Sequence, residues 1–101
     1  MPAIKVSSET SLSPKECFDR IAKMFENDAD LKRLDPKLKC NFDAASLSGT
    51  AAGSQFTAKM KVAPASNGSS VEIQVDLPFH LALVKGMVQK TLEKKLSSAL
   101  A

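Results

Sequence analysis

The side chains best equipped for chemistry in this chain are few: one histidine, His80, two cysteines, Cys17 and Cys40, and 11 acidic residues. An imidazole base needs a partner to orient it or a nucleophile to deprotonate. No GxSxG, glycine-rich phosphate loop, HExxH or EF-hand pattern supplies one. His80 follows Pro78-Phe79 and reads as a partly exposed residue at a helix start. The two cysteines show neither CxxC nor Cys/His zinc spacing, so they read as buried free thiols. Asp28, Asp30, Asp35, Asp43 and Asp76 are dispersed through connectors and strand ends, where turn formation and capping account for them. Without Trp or Tyr, and with five Phe mostly in core phase, there is no base-stacking platform. The expectation is therefore a protein that is not an enzyme, with no catalytic residues, no metal and no cofactor.

Charge narrows the partners further. The formal net charge is +3, with 14 basic residues scattered among 11 acidic ones, and Lys32-Arg33 and Lys94-Lys95 are the only adjacent basic pairs. That is too little for a phosphate-tracking stripe, so no nucleic acid is expected. Met1-Pro2-Ala3-Ile4-Lys5-Val6 has no basic stretch followed by a long apolar run, and no segment approaches the ~20 apolar residues of a membrane span. These features predict a soluble, cytoplasmic chain with no membrane span. At 101 residues it suits a single domain, 1–101, whose core needs no disulfide.

The elements that would position any site follow from periodicity. Ile4 and Val6 alternate with polar neighbours as a first strand. Ser13-Pro14 with Glu16 three residues after the serine forms a capping box, and Cys17, Phe18, Ile21, Ala22 and Phe25 share the face of a helix over residues 14–27. Asp30 can cap a short turn carrying Leu31 and Leu34 before Pro36. Leu38, Cys40 and Phe42 alternate as a second strand, whereas Ala45, Leu47, Gly49 and Ala51 take the opposite parity. A bulge near Asp43 to Ala44 or a change of register would explain this. Phe56, Ala58, Met60 and Val62 form a third strand; Asn67-Gly68 turns it into a fourth, Val71, Ile73, Val75 and Leu77. The predicted fold is α+β, in the order β-α-β-β-β-α: a four-stranded antiparallel sheet with two helices packed on one face.

Pro78 presets a final helix in which Val84, Val88, Leu92, Leu96 and Leu100 recur every fourth residue. Its front half carries more apolar surface than one sheet face can cover: Phe79, Leu81, Leu83, Val84, Met87 and Val88 surround most of its circumference. The surplus needs a second partner, either the first helix and the Leu31/Leu34 turn, or something outside the chain. Gly86, inside this segment, marks either a close backbone approach or a tolerated glycine.

The run Val71-Glu-Ile-Gln-Val-Asp-Leu-Pro-Phe79, with Val84-Lys-Gly-Met-Val88 and the spaced Leu92 and Leu96, resembles the polyhydroxyalkanoic acid system protein family of small bacterial proteins. Ile4-Lys-Val6, the Ser-Pro-Lys-Glu helix start and Leu47-Ser-Gly-Thr50 extend the likeness more loosely. The resemblance implies a link to storage-polyester granules and their metabolism, with no catalytic residues to carry over. The element order is also similar to part of the helix-grip folds that hold lipids and other apolar ligands. Here the sheet reads as too short for a full cavity, which two copies could enclose.

Two functions remain open at this point. The first is a non-catalytic accessory protein acting as a homodimer through Phe79, Leu81, Leu83, Val84, Met87 and Val88 together with the sheet, near polyester granules. The second is a carrier of a small apolar molecule such as an acyl chain, in a cavity lined by Phe56, Met60, Ile73, Val84 and Val88.

Overall fold

Alternating apolar and polar side chains become five strands, not four. The computed structural model describes residues 3–27 and 29–100. The side chains of Asp30, Leu31 and Leu34 lie outside this description, and with them the cap and the apolar contact expected of the Leu31/Leu34 turn. In chain order the elements are β1 (Ala3–Thr10), α1 (Pro14–Asn27), α2 (Ala29–Leu34), β2 (Lys39–Asp43), β3 (Ser48–Ala52), β4 (Thr57–Ala65), β5 (Gly68–Asp76), a 3₁₀ segment (Phe79–Val84) and α3 (Lys85–Leu100). The sheet is antiparallel throughout, in the order β1-β5-β4-β3-β2. Among the described residues, no helix is long and apolar enough to cross a membrane.

The fifth strand comes from the stretch whose parity reverses. The Asp43 carboxylate accepts the Ala45 amide (3.0 Å) and the Ser46 hydroxyl (3.0 Å), and Leu47 takes a positive φ of 52°. The chain therefore doubles back, and the parity change is a hairpin rather than a bulge. Phe42 pairs with Gly49 across the two strands, and a Cβ on that glycine would lie 2.8 Å from Phe42 Cε1. Glycine makes room for a ring that packs edge-on against Phe18, with centroids 6.1 Å apart, and beside Phe25 at 6.4 Å.

Register then sets the inner face row by row. Val6, Ile73, Met60, Gly49 and Phe42 form one row across the sheet; Ile4, Val75, Ala58, Ala51 and Cys40 form the next. Side-chain volume falls from β5 toward β3 along both. Helix α1 lies on this face through Cys17, Phe18, Ile21 and Phe25, all buried, and α3 adds Leu92 and Leu96. At the start of α1, Ser13 Oγ accepts the Glu16 amide at 3.3 Å, while the Glu16 carboxylate pairs with Arg20 one turn on, at 3.4 Å.

The last segment departs from a single helix beginning at Pro78. Pro78 is extended (φ −66°, ψ 157°), its carbonyl accepts the Leu81 amide at 3.0 Å, and the chain runs as a 3₁₀ turn until Lys85. In that tighter winding residues three apart eclipse, which puts Leu81 and Val84 on one side. Gly86 has nothing within 4 Å of its Cβ position, so no close backbone approach occurs there.

One buried charge fastens two loops. Asp35 is 0% exposed; its carboxylate accepts the Gln55 amide (2.7 Å), the Ser54 hydroxyl (3.0 Å) and the Lys37 amide (3.2 Å). Gly53 lies against that carboxylate so closely that a Cβ would overlap it. The Gln55 amide is the main cause holding the carboxyl below the ordinary aspartate value, with Ser54 and Lys37 assisting against the opposing effect of burial. A pKa depressed by folding stabilises above the unfolded value of about 3.9 and is lost as pH falls through it toward the folded value. Asp35→Asn is therefore expected to lower the urea midpoint at neutral pH, and the gap from wild type should narrow below about pH 4. A gap independent of pH would show that the charge on Asp35 contributes nothing.

Candidate ligand-binding site

The α3 stripe read from the sequence is not packed evenly along its length. Leu92 and Leu96 are buried, whereas Val84 and Val88, farther forward on the same stripe, are only half-buried. Beneath them the sheet presents Ala58, whose single methyl group cannot reach the helix. The result is an open-sided apolar cavity of about 310 Å³. Its floor is Ala58 and Val75, with Phe56 and Leu77 at the strand ends; its roof is Leu81, Val84, Met87, Val88 and Leu92; Phe25 of α1 closes one wall. Gln55, Thr91 and Lys95 are the polar side chains that reach it.

Each wall has a local cause. Phe25 is held by the Phe42 ring, which depends on Gly49 for space. Gln55 and Phe56 sit on the β3–β4 connection that Asp35 fastens through the Gln55 amide. Leu81 and Val84 face the sheet because the 3₁₀ winding aligns them. A single copy thus forms more of a cavity than the short sheet was expected to provide.

The sequence-derived candidates separate into three groups. Phe56, Leu81, Val84, Met87 and Val88 line the cavity. Met60 and Ile73, 4% and 0% exposed, are not among its lining residues and lie in the packed core. Phe79 and Leu83 point outward, at 75% and 99% exposed, and Met87 at the mouth is 66% exposed. Sequence reasoning missed Phe25, Ala58, Val75, Leu77 and Leu92 as lining residues, because each also satisfies the pattern of an ordinary core position. The one legible sign was the small Ala58 among larger neighbours on its strand.

The remaining reactive groups stand apart. His80 is exposed on the 3₁₀ segment. Burial pushes up the pKa of the Cys17 thiol; at Cys40 burial does so too, with Glu26 adding and Lys32 opposing. Neither thiol lines the cavity.

No protein-family model and no curated protein sequence matches this chain. Solved structures do. TTHA0849 from Thermus thermophilus superposes with a TM-score of 0.60 at 12% identity, over 98% of this chain and 94% of that one. The di-domain ARO/CYC BexL from the BE-7585A biosynthetic pathway gives 0.70 at 11% identity, over 99% of this chain but 45% of BexL. Ara h 8.0201 gives 0.53 at 13% identity, over 98% and 97%. At such identities the likeness establishes the fold alone, and that fold is helix-grip-like.

Filling the space under α3 should be cheap. Ala58→Leu is expected to leave the urea denaturation midpoint unchanged or raised, while Ile73→Ala in the packed row should cost about 2–5 kcal/mol. A loss above about 2 kcal/mol for Ala58→Leu would mean the added methyl groups meet packed atoms.

Proposed function

We propose that this protein is a non-catalytic binder of a small apolar molecule, such as an acyl chain, held between the sheet and the front half of α3. The observation that carries this reading is the cavity of about 310 Å³, walled almost wholly by apolar side chains. Sites for small ligands typically begin near that size and combine an apolar lining with a few polar groups. The resemblance of residues 71–96 to the polyhydroxyalkanoic acid system family makes hydroxyacyl chains natural ligands to try.

The test uses the neutral fluorophore N-phenyl-naphthylamine. Wild type is expected to bind it saturably with a blue-shifted emission, with medium-chain alcohols displacing it, and Ala58→Leu should abolish the signal. No binding by folded wild-type protein would refute the reading.

A second reading rests on Phe79, Leu83 and Met87, large apolar residues four apart that are mostly exposed. On that reading the protein is an accessory homodimer joined through this surface. Sedimentation at micromolar concentration should then show a dimer that Leu83→Glu dissociates. Wild type found only as monomer would exclude it.

A further inference from the structure

Among the described residues, the large apolar side chains that stand exposed are Phe79, Leu83 and Met87, at 75%, 99% and 66%, and all three fall between residues 79 and 87. Single apolar residues scattered over a surface call for no explanation; three large ones gathered at one end of a helix do. The first two lie on the 3₁₀ segment, which contains no buried residue, and Met87 lies in the first turn of α3 at the mouth of the cavity. The charges beside them have one sign. From Leu77 to Leu92 the sequence carries Lys85 and Lys90 and no Asp or Glu, and both lysines are exposed. Met87, Lys90 and Lys94 follow one another at spacings of three and four, so they share a face of α3, and Leu83 precedes Met87 by about one turn. The next carboxylate along the helix, Glu93, accepts from the Gln89 side chain at 3.3 Å. An apolar tip thus passes directly into a row of lysines.

We propose that this tip docks on a bilayer containing anionic phospholipid, with Phe79 and Leu83 entering the acyl boundary while Lys85, Lys90 and Lys94 lie at the level of the phosphate groups. Segments that rest in a membrane interface combine large apolar side chains with lysines, whose methylene stems follow the surface while the ammonium groups stay with the headgroups. A second copy of the chain fits the same tip less well. A two-fold contact joins the same patch of both partners, which brings two sets of lysines into one interface, and three side chains offer far less than the roughly 800 Å² that each partner of a standard complex contributes. A bilayer requires no shape complementarity and supplies the opposite charge. Docking goes beyond the proposed ligand binding and stands without it, because Phe79 and Leu83 do not line the cavity. Where both hold, the docked tip brings the Met87 mouth of the cavity to the lipid.

The experiment is co-flotation of the intact protein with vesicles of phosphatidylcholine alone or with about one-third phosphatidylglycerol. Wild type is expected to float with the anionic vesicles at low salt, to be released at about 0.5 M salt, and to stay behind when the vesicles are neutral. Phe79→Ser combined with Leu83→Ser should lower the partition coefficient about tenfold. Lys85→Gln combined with Lys90→Gln should lower it by a similar factor of about ten. The apolar pair is exposed, so its replacement should leave the urea midpoint and N-phenyl-naphthylamine binding as in wild type, which separates a lost surface from a lost fold or cavity. Failure of wild type to float with anionic vesicles overturns the assignment whatever the fluorophore does. Equal flotation with neutral vesicles, or flotation insensitive to both pairs of substitutions, overturns it as well. A micromolar dimer dissociated by Leu83→Glu, with no vesicle binding, gives the surface to a second copy instead. If the vesicles bind and the fluorophore does not, docking stands and only the cavity reading falls.

Discussion

A straight helix laid over a sheet that loses volume along its inner rows cannot touch it everywhere. That mismatch governs this molecule. The rear of α3 is fixed by Leu92 and Leu96, each worth about 1.5–3 kcal/mol of burial, and a helix so anchored carries its front half forward as a rigid rod. Beneath that half the sheet offers Val75 and then Ala58, a drop in side-chain volume that neither helix compensates. The cavity is the space left over, and Val84 and Val88 are half-buried because they border it.

Keeping the space open requires walls that do not collapse inward. Phe25 is braced by Phe42, whose ring lies over Gly49; the β3–β4 connection bearing Gln55 and Phe56 is fastened to the α2–β2 loop by Asp35. Both braces lie outside the cavity. Their shared consequence is a floor and side wall fixed independently of α3, so that the roof alone is sparsely packed. The 3₁₀ segment that continues this roof contains no buried residue.

Much of the architecture was legible because period-two and period-four patterns leave few options. The helix over residues 14–27, the strand from Val71 and the apolar α3 stripe were all evident from spacing, and the surplus of apolar surface before Leu92 pointed to the part of the chain where the cavity lies. The β2–β3 hairpin was not legible: its strands are five residues each, one of them composed of Ser, Gly, Thr and Ala, and a parity reversal looks alike whether caused by a bulge or a turn. The lining on the sheet was equally hidden. Ala58, Val75 and Leu77 are buried core residues like their neighbours, and that they also border the cavity depends on how two distant elements meet. Asp35 was read as a turn former, and it does accept the Lys37 amide two residues on; its bonds to Ser54 and Gln55, about 20 residues downstream, were not legible.

Methyl-resolved NMR tests the central claim most directly, by titrating decanol into protein with labelled isoleucine, leucine and valine methyl groups. The account requires saturable shifts, and contacts to ligand protons, at Val75, Leu81, Val84 and Val88, while Ile4, Val71 and Ile73 stay essentially still. Uniform small shifts, or shifts led by Ile73 and Val71 with Val84 and Val88 silent, would mean that the front of α3 rests on the sheet and that there is no site beneath it.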